Sequence, residues 1–280
     1  MLLLSYRHSY HAGNFADVLK HIVLVEMLEH FIKKDKPFDY IDTHSGAGIY
    51  DLLSGHADKN KEYKNGIDKL KDTRWPELAS YFSAIDANNK SVGLRYYPGS
   101  PAIAMEYLRR GDRAWLFEMH SADGTRLEQL FAKNRSVRVS GDDGLKGLLS
   151  LVPPVSKRGL VLIDPSYEIK QDYDQVFKAV AQAHKKFTTG TYAIWYPVVD
   201  RVRIEKLEGK FKRSGIKNIQ LFELGLLEDT EERGMTSSGM MVINPPWTLK
   251  DKMSQLLPKL VKALDESGSS FYRCETLVGE

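Results

Sequence analysis

The chain has 280 residues, a length that suits one α/β domain carrying an insertion and is short for two full-sized domains. Hydrophobic residues make up 42% and charged residues 28%, a globular balance that excludes intrinsic disorder. Forty Lys+Arg against 37 Asp+Glu leave a net charge of only +3, compatible with a nucleic-acid partner without demonstrating one.

The single Cys274 rules out an intrachain disulfide and leaves no cysteine pair for structural zinc. Five histidines, His8, His11, His21, His44 and His120, have spacings that fit no zinc pattern, so no metal is expected. No apolar run approaches the roughly 18 residues of a membrane span. Met1-Leu2-Leu3-Leu4 gives way at once to Ser5-Tyr6-Arg7-His8, too short for a signal-peptide core, so a cytoplasmic protein is expected. Nothing suggests an obligate interface, and a monomer is the expectation.

Along the chain, Asn14 is a helix cap with Asp17 three residues on. Phe15, Val18, Leu19, Ile22, Val25 and Leu28 then recur at helical spacing. Strands are predicted at 38–42, 113–118, 136–140, 159–164, 192–196, 216–223 and 239–244. Helices are predicted at 100–110, 125–134, 173–187 and 201–213. This alternation predicts an open, mainly parallel, Rossmann-like sheet of seven strands with helices on both faces. The link 226–238 shows no helix to serve as a crossover, so the last strand should run antiparallel to its predecessor. Between strands one and two the connection is roughly twice what a crossover requires. Residues 51–95 are therefore expected to form a small insertion, helical over 51–89, within one domain spanning 1–280. The segment Arg95–Pro101 should then return to the sheet.

In such a sheet, ligands bind beyond the C-terminal ends of the strands. Strand one ends in Thr43-His44-Ser45-Gly46-Ala47-Gly48, whose glycines let backbone pass close beneath a ligand. The third glycine of a dinucleotide fingerprint is absent, because Asp51 stands there, so an ordinary tight turn explains the loop equally well. Glu118 at the end of strand two can accept hydrogen bonds from both hydroxyls of a ribose; alone, it reads as a solvated carboxylate. After strand three, Asp143 and Gly144 can receive an adenine ring, or Asp143 can simply cap a helix.

Strand four ends in Asp164-Pro165-Ser166-Tyr167. The exocyclic amine of a nucleobase is a poor nucleophile because its lone pair is delocalised into the ring. The Asp164 carboxylate and the Pro165 carbonyl, accepting its two hydrogens, would localise that pair, while Tyr167 would stack on the base. A plain Asp-Pro turn is the alternative. Four such signals at the ends of four successive strands favour a nucleoside-cofactor site. The tetrapeptide Asn244-Pro245-Pro246-Trp247 has similar chemistry, but it follows the seventh strand. If that strand is antiparallel, Asn244 lies at the far edge and the segment is a structural turn. Arg201, Arg203, Lys206, Lys210, Lys212, Arg213 and Lys217 form a basic run that suits phosphates or a solvated helix face alike.

These residues resemble a class I S-adenosylmethionine-dependent methyltransferase of the amino-methylating kind. Tyr6–Asn14, Ala16–His21, Asp42–Gly48, Arg95–Pro101 and the Asp164 loop are similar to the RlmJ family, bacterial 23S ribosomal RNA adenine-N6 methyltransferases. The resemblance runs over essentially the whole chain. It implies that His21, His44, Ser100, Glu118, Asp143, Gly144 and Asp164 bind the cofactor and that Asp164 acts at the target amine. It also implies that Tyr6 and Lys20, with Pro165 and Tyr167, meet the substrate adenine. Ser166 departs from the family's second proline, which implies a looser loop. Competing readings are a DNA adenine-N6 methyltransferase, for which the insertion is small, a non-enzymatic nucleic-acid-binding protein, and a protein-glutamine methyltransferase.

Overall fold

The structure is a computed structural model and describes residues 7–90, 93–229, 234–265 and 268–280, the side chains of residues 56 and 58 excepted. Asn14 opens the first helix, α1 (Phe15–Ile32), its side chain accepting from the N–H groups of Ala16 and Asp17 at 3.0 Å each. Most of α1 is buried, 13 of its 18 residues, including Asp17, Lys20 and His21. Polar groups are kept at buried positions only where they have partners, so these three mark a site and not a solvated face.

Among the described residues, eight strands form one sheet: β1 (Asp39–Asp42), β2 (Arg113–Phe117), β3 (Val137–Ser140), β4 (Gly159–Ile163), β5 (Thr191–Val198), β6 (Ile219–Gly225), β7 (Ser237–Ile243) and β8 (Phe271–Val278). Their order is β8-β6-β7-β5-β4-β1-β2-β3. The pairs β1–β2, β1–β4, β2–β3 and β4–β5 are parallel. As the short link 226–238 predicts, β7 is antiparallel to β6, and it is also antiparallel to β5. The expected count of seven is corrected to eight, because β8 adds antiparallel to β6 at the edge. Arg273 on β8 holds it there through Glu208 at 2.7 Å and the fully buried Glu223 at 3.5 Å.

The order turns around at β1, which has β4 on one side and β2 on the other. Asp42 of β1 is in register with both Leu116 and Leu162. Glu118 and Asp164 each lie two residues beyond those partners, so they flank the end of β1 from its two sides. With neighbouring strands spaced about 4.8 Å apart, the two carboxylates arise about 10 Å from one another.

Helices α2 (Ser100–Met105), α3 (Ser121–Phe131), α4 (Gly144–Leu151), α5 (Asp172–Lys186), α6 (Arg201–Arg213) and α7 (Leu249–Leu264) complete the layers. One apolar core joins α1 and α7 to one face of the sheet, and a second joins α4, α5 and α6 to the other. The apolar run Gly159–Ile163 is buried throughout, as an interior parallel strand requires.

The insertion differs from expectation at its base. Arg95–Pro101 does not return to the main sheet. Tyr96–Pro98 instead pairs antiparallel with Ile49–Asp51 in a separate two-stranded ribbon. Between the ribbon strands lie short helices, including Gly55–Asn60, Ile67–Leu70 and Ala79–Ala87. They dock on the segment before α1: Ile67 N–H donates to Gly13 O at 2.9 Å, and a Cβ on Gly66 would stand 2.2 Å from that same oxygen.

Candidate active site

The loop after β1 is built around Asp42. This side chain is fully buried and accepts from Tyr40 Oη at 2.8 Å, Ser100 Oγ at 2.7 Å and His44 N at 3.3 Å. Burial raises its carboxyl above the usual range, partly opposed by Ser100 and Tyr40. Gly46 is in the left-handed region (φ +61°), where its N–H donates to Glu118 Oε2 at 2.7 Å. Glu118 Oε1 accepts from His120 N at 2.7 Å. Burial also raises the Glu118 carboxyl, with those two backbone donors opposing.

Asp143 caps α4, its Oδ1 accepting from Leu145 N at 3.0 Å and Lys146 N at 3.3 Å. The helix-cap reading therefore describes that oxygen. Gly144 follows, and a Cβ there would stand 2.0 Å from Thr43 O, so α4 begins in contact with the β1 loop. His44 is pushed down to about 4 by burial, with Asp143 opposing, and its Nδ1 pairs with Thr43 Oγ1 at 2.8 Å. His21 is pushed down to about 3, mainly by burial, so the ring is neutral. Its Nδ1 pairs with Tyr97 Oη at 2.8 Å, while its buried Nε2 has no partner among the described residues.

These groups fit a nucleoside cofactor. Each oxygen of Glu118 holds one backbone donor, and a carboxylate has about four acceptor positions, so two remain for vicinal hydroxyls. The orphaned Nε2 of His21 is a buried polar atom of a kind that ordinarily has a ligand or water partner.

On the other side of β1, Asp164 ends β4 with only 13% of its side chain exposed. Lys20 Nζ donates to its Oδ2 at 2.5 Å and to Asp17 Oδ1 at 2.8 Å. Asp17, 2% exposed, also accepts from His8 Nε2 and from Gly13 N, both at 2.9 Å. Burial alone would raise Asp17, but His8 and Lys20 together hold it well below the carboxylate range. Asp164 goes the other way. Its burial outweighs Lys20 and His8, and the carboxyl is pushed up to about 6. The lysine stays charged, because both carboxylates raise it against the effect of burial.

Asp164 opens onto a cavity of about 540 Å³ whose lining includes Lys20, His8, Tyr167, Trp195, Asn60 and Glu62. Tyr167 is held by its hydroxyl, which donates to Trp195 O at 2.8 Å, and its backbone is left-handed (φ +50°). Lys20 Nζ lies 5.8 Å from the Trp195 ring centroid. Pro165 O accepts no hydrogen bond among the described residues, and Ser166 faces the cavity. The cavity therefore combines aromatic surface with a poised carboxylate, and Pro165 is not among its lining residues.

The predicted residues thus gather in two connected places. Glu118, Gly144, Asp143, His44 and, through Asp42, Ser100 surround the β1 loop; Lys20, Asp164 and Tyr167 line the cavity. Tyr6 lies outside the described residues. Sequence patterning singles out neither Asp42 nor Glu62. Lys20, which the resemblance places at the substrate adenine, forms an i,i+3 pair with Asp17 and also reaches Asp164. Asn244 is the far-edge turn: its side chain donates to Thr188 O and Gly190 O at 2.8 Å each, at the start of β5. In the basic run, Arg201 is engaged with Glu223 at 2.8 Å and Asp229 at 2.6 Å, and Lys212 reaches Glu208 at 3.8 Å.

A family model described as "Ribosomal RNA large subunit methyltransferase D, RlmJ" matches residues 35–276. The chain belongs to this family. Two relatives carry the name "Ribosomal RNA large subunit methyltransferase J". The one from Haemophilus influenzae is 48% identical and the one from Escherichia coli 46%; each match covers 99% of this chain and 100% of the relative. A crystal structure of a Legionella pneumophila protein is 41% identical, with a TM-score of 0.87 over 95% of this chain and 98% of that one. The same family members thus extend over the insertion as well as the sheet. Among the described residues, no helix is long and apolar enough to cross a membrane.

Proposed function

We propose that this chain transfers a methyl group from S-adenosylmethionine to N6 of an adenine in 23S ribosomal RNA. The family supports the large-subunit RNA as substrate. The observation that carries the site assignment is Asp164, a nearly buried carboxylate held by Lys20 at the mouth of an aromatic cavity. His21, His44, Ser100, Glu118, Asp143 and Gly144 would hold the cofactor, which supplies an electrophilic methyl carbon when bound.

The rest of the chemistry falls to the chain's own groups. An adenine leaves its stack to enter the cavity, since its amine is unreachable inside a duplex. Tyr167 and Trp195 offer rings to receive the base plane. Asp164 and Pro165 O take the two amine hydrogens, which localises the nitrogen lone pair. As the nitrogen gains its new substituent, Asp164 accepts the released proton. Lys20 remains protonated and fixes the Asp164 oxygen that it bonds, leaving the other oxygen for the amine.

We read residues 1–280 as one domain with 51–95 as an insertion, and the protein as a monomer. Light scattering during gel filtration checks the oligomeric state. The reaction is tested by supplying radiolabelled cofactor with protein-free 23S RNA and, separately, duplex DNA. N6-methyladenosine from the RNA alone is expected; label confined to DNA, or at another atom, overturns the proposal.

A further inference from the structure

A second cleft, of about 270 Å³, lies between the start of α5 and helix α6. Its lining holds four cations, Lys170, Arg203, Lys206 and Lys210, against the single carboxylate of Asp174. Two of the cations are already engaged. Arg203 Nε donates to Asp200 at 2.7 Å, and Lys210 pairs with Asp174. Lys170 and Lys206 are exposed and carry no ion pair among the described residues. Asp172, the other acidic residue at the start of α5, is occupied by the N–H of Ile169 at 3.2 Å.

Tyr173 connects this cleft to the active site. It forms part of the cleft wall, and its ring centroid stands 4.4 Å from that of Tyr167. Tyr167 in turn lines the Asp164 cavity. Two tyrosines with tilted rings in contact are therefore the partition between the basic cleft and the place where a base would enter.

We propose that this cleft binds the phosphodiester backbone of the RNA strand next to the extruded nucleotide, with Lys170 and Lys206 as its principal contacts. The proposal rests on the RNA reading of the active site and adds where the strand runs beside it. Its cations come from one face of α6 and from the turn before α5, with few neutral polar groups that would read base edges. Such a surface supplies affinity and orientation and leaves sequence choice to the cavity. Arg203 and Lys210 can exchange their exposed carboxylate partners for phosphate, whereas Lys170 and Lys206 need give up nothing.

The test is direct binding of protein-free 23S RNA across a salt series, in parallel with methyl transfer. The double variant Lys170→Ala/Lys206→Ala removes two cations without stranding a carboxylate. Its slope of log affinity against log salt should shrink by about 1.4 to 1.8, with RNA affinity falling about ten-fold at moderate salt. Affinity for S-adenosylhomocysteine and the rate at saturating RNA should stay within about two-fold of the parent. The comparison variant Lys34→Ala/Lys36→Ala removes two exposed charges just before β1, at the opposite end of the sheet, and should leave the slope unchanged. An unaltered slope in the cleft variant overturns the proposal, and so does an equal loss in the comparison variant. A parent protein that binds RNA with the expected slope but transfers no methyl group would refute the reaction and leave the cleft standing.

Discussion

Lys20 and Asp164 lie 144 positions apart in the chain, yet their charged atoms are 2.5 Å apart in the lining of the cavity. Lys20 comes from a helix that crosses the sheet face, Asp164 from the end of β4. Their contact ties the substrate side of the site to the first turns of the chain through Asp17 and His8.

Asp164→Asn should retain the shape of the loop and lose the proton acceptor. A fall of 10²–10⁴-fold in the methyl-transfer rate is expected, in the range of a lost general base. Calorimetric affinity for S-adenosylhomocysteine should change little. A variant with its rate intact would remove Asp164 from the chemistry.

The rate should also depend on acid. Asp164 titrates near 6 because burial raises it further than Lys20 and His8 lower it. Only its ionised form accepts a proton, so kcat/KM should rise with pH through about 6 and then level off. Lys20→Met removes a cation that favours the carboxylate, so the acid limb should move to higher pH. A limb that stays in place, measured over pH 5 to 9, would contradict this coupling.

Asp17, on the cavity wall, positions Lys20 and His8. Asp17→Asn removes a buried charge from beside Lys20 and His8, a loss on the order of 3 kcal/mol of stability. Beyond the lower melting temperature, the acid limb of kcat/KM should shift, because among the described residues Lys20 then keeps Asp164 alone as carboxylate partner. Asp17 also raises Asp164, so its removal should move the limb to lower pH. A purely structural role would lower the melting temperature and leave the profile where it is.

Glu118→Ala should weaken cofactor binding first. Losing a charged acceptor for two hydroxyls costs about 1.5–3 kcal/mol, or about 10- to 150-fold in the dissociation constant for S-adenosylhomocysteine. The rate at saturating cofactor should be much less affected than in the Asp164 variant. Equal losses in both quantities would argue against a ribose contact.

Gly144→Ala tests the closeness of α4 to the β1 loop. The added methyl meets backbone, Thr43 O at 2.0 Å, and not a yielding side chain. A destabilisation of about 1–3 kcal/mol is expected, together with weaker cofactor binding. Chemical denaturation and titration calorimetry measure the two effects separately.

What could be read from the sequence follows the range of the forces involved. The Asn14 cap and the spacing of α1 are local, and helix Arg201–Arg213 was legible for the same reason. The strand-end residues were legible because parallel topology places successive strand ends on one edge. β8 was not, since Arg273 and Glu275 interrupt its apolar pattern and its partner β6 lies some 50 residues earlier. Helix α7 contains Pro258, the residue least suited to a helix interior, and its apolar stripe still packs against the sheet. Lys20 reaching Asp164, and Asp17 serving both Lys20 and His8, depend on folding α1 across the sheet. No spacing rule contains that information.

The antiparallel course of β7 has a consequence for interpreting short signatures. Asn244-Pro245-Pro246-Trp247 and Asp164-Pro165-Ser166-Tyr167 offer similar functional groups, and each directly follows a strand. A seven-residue strand is about 23 Å long, so reversing its heading carries whatever comes after it to the far side of the protein. Meaning in such a tetrapeptide is vectorial: it belongs to the arrow of the strand as much as to the letters.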